Sequence, residues 1–346
     1  MPPRGHSKFF AIIAPKIHPQ NKESMQHPKS LSFKNLLMLA PLAGYTDLPF
    51  RSVAKSFGAD ITVSEMISVH ALAYKNRRTA KMVEKAPNEN PYSVQIAGNH
   101  LDIIQRAVEV LNAFEGIDIL DLNGGCPAPK VSGHGSGSSL LKDLDKMVEI
   151  LRLIKKTTTI PYTSVKVRIG FETKIPAEIA HALNDAPIDF VVVHGRTKSD
   201  GYKKERIDYD SIALMKKILK VPLIANGEID SFSKAQEVLA HTGADGLMIG
   251  RAAVAKPWIF RQIKEGIHEA DLELRRAVAL EHFDKTIAFR GEFGAVMFRK
   301  NLHAYSKGLA GASDFRDKVN HLTSPVLMRE AIEEFFLASQ VLESFG

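Results

Sequence analysis

Three closely spaced β-rich runs, FVVVHGR (190–196), PLIANGEI (222–229) and GLMIGRA (246–252), each begin apolar and end polar. A near-continuous apolar run is the pattern of a strand buried on both faces, as in a parallel sheet covered by helices. Each run is followed by a segment long enough for one helix, so each reads as a β–α unit. Toward the amino terminus the pattern repeats as LMLAPLAG (37–44), ITVSEM (61–66), YSVQIAG (92–98), ILDLNGG (119–125) and SVKVRIG (164–170). Between YSVQIAG and ILDLNGG, Ile103, Ile104, Ala107, Val108 and Leu111 fall at helical spacing. Eight such units predict the α/β class and a (β/α)8 TIM barrel over residues 35–261. A doubly wound sheet is the alternative, but PLAGYTD after the first run lacks the GxGxxG spacing that such a fold carries there.

Where each run turns polar predicts the site. A barrel gathers the carboxyl ends of its strands at one mouth, where active sites lie. Glu65, Gln95, Asn123, Lys166, Arg168, His194, Arg196, Asn226, Gly250 and Arg251 all fall at run ends and are expected to converge there. Gly227 and Gly250 permit close backbone approach after the seventh and eighth strands, and Arg251 adds a charge-assisted contact, the makings of a phosphate site. Lys166 reads either as a Schiff-base nucleophile or as a cation for an anionic ring edge. The mouth suits a phosphorylated planar ligand such as flavin mononucleotide, and spacing alone leaves a sugar phosphate open. DLNGGCPAPKVSGHGSGSSLLKD (121–143) puts the one cysteine, Cys126, at a strand end before a glycine- and serine-rich loop. That position argues for chemistry over packing, with Lys130 and Gly133, Gly135 and Gly137 in a mobile lid.

Composition narrows the class. With 45% hydrophobic and 25% charged residues over 346 positions, the chain is globular. A single cysteine excludes a disulfide framework and multi-cysteine metal sites, and the thirteen histidines form no HExxH, so no metal is expected. No apolar stretch reaches the roughly 20 residues of a membrane span, and a cytoplasmic protein is expected. The apolar patch FFAIIA (9–14) is shorter than the ~7–15 residues and cleavage site a signal peptide wants once Pro15 ends it. Residues 1–34 hold six basic and one acidic residue and are expected to be a flexible extension, so five of the seven net positive charges lie outside the barrel.

At the cysteine loop the chain resembles the tRNA-dihydrouridine synthases, flavin-dependent barrel enzymes that reduce selected uridines in tRNA. The resemblance rests on APLAGYTD (40–47), VQIAGN (94–99), LNGGCPAPKVSGHGSGSSLLKD (122–143), VKVRIG (165–170), HGRT (194–197), NGEI (226–229) and IGRA (249–252), in family order over roughly 37–260. It implies FMN bound by Pro41, Leu42 and Ala43, by Gln95, Lys166 and His194, and by Asn226, Gly227, Glu228, Gly250 and Arg251. It implies Asn123 and Arg168 at the target uracil, Cys126 as proton donor, and NADPH or NADH as reductant. The sequence offers no second dinucleotide fold, so the reductant is expected at the same open face before tRNA binds. Leu42 stands where the family commonly has methionine, Gly124 where it has a bulky apolar residue, and Glu228 where it has aspartate. A thiol suits the donor's task, because an ordinary one with a pKa of about 8.5 is protonated at neutral pH.

After PWIF (257–260) the β-rich runs stop, and 262–346 reads as a smaller helical domain. Leu327, Ala331, Phe335, Ala338 and Leu342 are expected to form its last buried face. The resemblance makes this domain the tRNA grip, with RKNLHAYSKG (299–308) as counterpart, so Arg299 and Lys300, with Arg196, are expected at the substrate. A second basic cluster, Lys75, Arg77, Arg78, Lys81 and Lys85, follows the second run. A monomer is expected. The alternatives are another FMN barrel of the dihydroorotate dehydrogenase or ene-reductase type, a Schiff-base lyase using Lys166, and a non-catalytic RNA-binding barrel.

Overall fold

The structure is a computed structural model that describes residues 30–267 and 271–344, with side chains to Ser339 in the last helix. The extension expected over 1–34 thus lies outside the described residues as far as residue 29. Leu31 and Phe33, which follow, pack against the barrel interior, and the Phe33 ring lies 5.2 Å from that of Phe190.

Nine parallel strands fill eight barrel positions. They are β1 (Leu36–Leu39), β2 (Thr62–Val63), β3 (Ile67–Ser68), β4 (Tyr92–Ala97), β5 (Ile119–Gly124), β6 (Tyr162–Arg168), β7 (Phe190–His194), β8 (Leu223–Asn226) and β9 (Gly246–Ile249). β2 and β3 share the second position, since both pair with β4. The order runs β1-β9-β8-β7-β6-β5-β4-β2, and a parallel bridge from Met38 to Ile61 joins β1 to the second position. Helices cover the outside, as the eight-unit reading requires. They are α1 (Leu48–Ser56), α2 (Val69–Ala73), α3 (Arg77–Val83), α4 (Leu101–Leu111), α5 (Pro129–Ser132), α6 (Leu144–Thr157), α7 (Pro176–Asn184), α8 (Tyr209–Ile218), α9 (Phe232–Thr242), α10 (Arg251–Ala255) and α11 (Ile259–Glu265).

The local causes are plain in α4, which buries the five residues expected from its spacing. Each such side chain is worth about 1.5–3 kcal/mol relative to exposure. Carboxylates in the loops after the strands cap the helices that follow: Asp143 accepts from the Lys146 amide at 3.0 Å and Asp208 from that of Ser211 at 2.9 Å. Outward-facing strand residues pack under the helices, while Met38, Ile61, Phe190, Ile224 and Met248 fill the barrel.

The carboxyl-terminal part is helical: α12 (Leu272–Arg290), α13 (Gly294–Tyr305), α14 (Ala312–His321) and α15 (Pro325–Ser344). Its core takes in Val53 of α1, Phe57 just after that helix, and Trp258, so it is seated on the barrel rather than tethered to it. The buried face of α15 runs through Met328, Ala331, Ile332, Phe335 and Phe336. Leu327, expected there, is 51% exposed, and Ala338 also faces out. The face is rotated because α15 packs its Met328 and Ile332 side into the same cluster as Phe283 of α12; Leu342 is outside the described side chains.

Candidate active site

The parallel register sets the polar strand ends side by side. Gln95 pairs with Asp121, Asn123 with Lys166, Arg168 with His194, and His194 with Asn226. They open into a cavity of about 630 Å³ at the carboxyl ends of the strands, within the ~300–1,000 Å³ of small-molecule sites. Its walls include Pro41, Leu42 and Ala43 from the β1 turn, Gln95, Asn123, Cys126, Lys166, Arg168, His194, Asn226, Gly227, Glu228, Gly250 and Arg251.

A buried hydrogen-bonded chain runs along one wall. Ser164 donates to Asp121 Oδ1 at 2.6 Å, and Gln95 Nε2 donates to Asp121 Oδ2 at 2.7 Å. Asn123 Nδ2 donates to Gln95 Oε1 at 2.7 Å, and Asn123 Oδ1 accepts the Cys126 amide at 2.9 Å. One carboxylate thus fixes two amide orientations and, through them, the turn that carries the thiol. Burial pushes the Asp121 carboxyl up to about 6, against the hydrogen bonds from Ser164 and Gln95 and the charge of Lys166.

The adjoining wall, from β6 onward, is cationic. Lys166 Nζ donates to Asn226 Oδ1 at 2.8 Å, and Asn226 Nδ2 to the Met248 carbonyl at 2.7 Å. Burial, with Arg168 beside it, pushes the Lys166 ammonium down to about 8. The same two causes, with other cations around it, hold His194 well below the ordinary imidazole range, so it is neutral. Arg168 donates to the carbonyls of Gly125 at 2.9 Å, Thr197 at 2.7 Å and Gly201 at 3.0 Å, which fixes its plane at the cavity wall. Glu228 adopts a left-handed backbone at φ 50°, and its carboxylate is held by Arg196 at 2.6 Å and by Arg251.

Three expected residues stand elsewhere. Arg196 is fully buried behind the cavity, where it also meets His194 Nε2 at 3.2 Å and the Lys203 carbonyl at 2.8 Å. Glu65 leaves the ladder after β2 and accepts the Gly44 amide, facing the crevice between barrel and helical domain. Arg299 donates to the Leu322 carbonyl at 2.8 Å inside the helical domain, whereas its neighbour Lys300 reaches the Gly44 carbonyl and lies 4.9 Å over the Tyr45 ring. Arg78 and Lys81 of the second basic cluster line that crevice with Arg290 and Lys300. Asp121 and Tyr202 also belong to the site although no strand-end pattern marks them; Tyr202 stands 58% exposed at the rim, its ring 5.3 Å from the Arg168 guanidinium.

An eight-position parallel barrel with its buried amides, lysine and thiol at the carboxyl-end mouth belongs to the TIM-barrel enzyme class. The family model for dihydrouridine synthase (Dus) matches residues 38–340. A probable tRNA-dihydrouridine synthase of Helicobacter pylori is 59% identical over 308 residues, covering 88% of this chain and 94% of that protein. A tRNA-dihydrouridine synthase B of Pseudomonas syringae pv. tomato is 37% identical over 314 residues, covering 87% of this chain and 91% of that protein. The chain belongs to the dihydrouridine synthase family. Among solved structures, TcOYE with pHBA aligns at a TM-score of 0.51 and 9% identity, over 74% of this chain and 94% of that one, a likeness of fold.

Proposed function

We propose that this protein is a tRNA-dihydrouridine synthase, reducing the C5–C6 bond of particular uridines in tRNA with FMN at the barrel mouth, NADPH or NADH as reductant and Cys126 as proton donor. The observation that carries this reading is the chain Asp121–Gln95–Asn123–Cys126, which ties the thiol's turn to an amide suited to a flavin ring edge. Family membership and 59% identity to a probable tRNA-dihydrouridine synthase support the substrate.

The donor set suits FMN. Lys166 and Gln95 offer a cation and an amide to the ring, bordered by Pro41, Leu42 and Ala43. At the phosphate end Arg251 lines the cavity, and Glu228, whose carboxylate Arg196 and Arg251 share, holds that guanidinium beside Gly227 and Gly250. Gly227, at φ +129°, brings the backbone so close that a Cβ would lie 2.4 Å from Ile207 Cδ1.

Bound FMN, once reduced by NADPH or NADH, would supply the hydride for the uracil ring. Cys126 gives its proton to the ring carbon that the hydride does not take, and the thiolate formed is reprotonated from water. Asn123 and Arg168 hold the uracil and stabilise negative charge on its oxygens. The target base must leave its stack to enter the mouth. The Cys126→Ala variant is expected to keep its flavin spectrum and its NADPH-driven flavin reduction. Dihydrouridine formation in transcribed tRNA should fall by about 10²–10⁴-fold, the share a positioned acid supplies. Wild-type turnover by the variant would remove Cys126 from the mechanism.

A further inference from the structure

Beside the mouth lies a second cavity of about 430 Å³ that none of the chemistry above uses. Met66 lines both this cavity and the active-site cavity, so the two are neighbours on either side of that residue. Its walls carry three imidazoles from three separate segments: His70 of α2, His100 at the start of α4, and His134 of the loop after Cys126. All three are exposed, and the His70 and His100 rings stand edge to face with centroids 5.9 Å apart. Among the described residues no group of His, Cys, Asp and Glu is arranged to hold a metal ion. Lys130 is the one formal charge at the slot, and Val131 and Ala97 add apolar surface.

The slot's outer wall is the thiol loop itself. The Cys126 carbonyl accepts the Ser138 amide at 3.1 Å, closing the segment that carries Lys130 and His134. Gly135, at φ +76°, lets this segment press on Asn99, since a Cβ there would lie 2.6 Å from Asn99 Nδ2. What fills the slot therefore touches the loop that positions the proton donor.

Resting on the proposed function, we infer that this imidazole-lined slot receives the base next to the target uridine in the RNA. Extruding one base breaks stacking on its neighbour. Proteins that read unpaired RNA replace such stacking with aromatic side chains, histidine among them. A slot of exposed rings with a single cation, next to the catalytic cavity across Met66, matches a nucleobase and its adjacent phosphate. His70, His100 and His134 are thus specificity-determining residues, reading the flanking nucleotide while Cys126 and its neighbours read the uracil.

The test uses flavin-loaded enzyme and transcribed tRNA, intact or with an abasic nucleotide on one or the other side of the modified uridine. For His70→Ala combined with His134→Ala, kcat/KM on intact tRNA should fall on the order of ten-fold, mainly through KM. On the abasic tRNA whose missing base is the one bound, wild type should lose a similar factor and the variant little more, because both changes remove one contact. Phenylalanine at both positions should restore most of the loss. Flavin reduction by NADPH in the absence of tRNA should not change. Unaltered kcat/KM in the alanine variant, additive losses on both abasic tRNAs, no rescue by phenylalanine, or a loss confined to the NADPH step would each overturn the slot's assignment. A wild-type enzyme that forms no dihydrouridine would fail at the proposed function itself, a result distinct from all of these.

Discussion

At the scale of single residues, Lys166 makes the site's chemistry depend on pH. Its ammonium is held down to about 8 by burial and by Arg168, so the charged form is present at pH 7 and is lost as pH rises through about 8, well before an ordinary lysine would lose it. If that charge attracts an anionic cofactor, FMN affinity of the apoprotein should be level from pH 6 to 7 and weaken as pH rises past 8. In Lys166→Met it should be weaker throughout and lack that step. Fluorescence titration of free FMN measures both, and a step of equal size in the variant would assign the titration to another group. Asn123, Arg168, His194 and Asn226 are legible in the sequence because they fall toward the ends of apolar runs, and Lys166 and Gln95 because they break runs that lead into them. Asp121 is the third letter of ILDLNGG, as Lys166 is of SVKVRIG, but Asn123 and the glycines that follow it draw the reading to the end of that run. A charge in a strand buried on both faces must nonetheless find partners, and here they are Ser164 and Gln95. Tyr202 lies on a loop with no period to mark it. Arg299 and Lys300 are equivalent by type, but adjacent helical residues point about 100° apart, so of the two only Lys300 reaches the β1 turn and the crevice beside it.

At the scale of elements, the irregular second strand position shows what run-reading misses. ITVSEM reads as one strand, yet β2 stops at Val63 and β3 resumes at Ile67. Between them the Ser64 hydroxyl donates to the Glu65 carbonyl at 2.8 Å and accepts the Gln95 amide at 3.1 Å, side-chain bonding that replaces ladder bonding. That break is why Glu65 turns to the crevice, and no periodicity encodes it. The interrupted strand is braced by a buried pair. Glu89, with no exposed surface, accepts from Arg51 Nε at 2.8 Å, from the Thr62 hydroxyl at 2.6 Å and from the Ala86 amide at 2.7 Å. It thereby joins α1, β2 and the segment after α3. Glu89→Ala strands the Arg51 charge in the interior, a change that costs about 3–5 kcal/mol. Calorimetry or dye-monitored melting should show Tm lower by on the order of 10 °C. A drop of a degree or two would mean that water or a moved carboxylate replaces Glu89.

At the scale of the whole molecule, barrel and helical domain meet through a seam whose ion pairs are few and whose core is shared. Arg290 of α12 pairs with Asp47 at 2.8 Å, Lys300 of α13 reaches the β1 turn, and Phe50 of α1 packs 5.3 Å from the ring of His282. Most of the net positive charge lies in residues 1–34, so what the seam offers a polyanion is local: Arg78, Lys81, Arg290 and Lys300 around one crevice. His282 also makes the seam sensitive to acid. It is 1% exposed, 4.7 Å from the Phe298 ring, and its Nδ1 meets the Tyr305 hydroxyl at 2.8 Å. Burial holds its pKa down to about 4, against the ordinary 6.5 of a histidine, so the folded protein keeps it neutral. Above 6.5 neither state binds the proton and His282 leaves stability unchanged. As pH falls from 6.5 to 4 the unfolded chain takes up a proton that the native one refuses, and about 3 kcal/mol of stability is lost. Urea unfolding at pH 7.5 and at pH 4 should therefore show a loss in wild type that exceeds the loss in His282→Gln by about that amount. Glutamine retains a partner for Tyr305 without titrating, so equal losses in the two proteins would place the acid sensitivity in other groups.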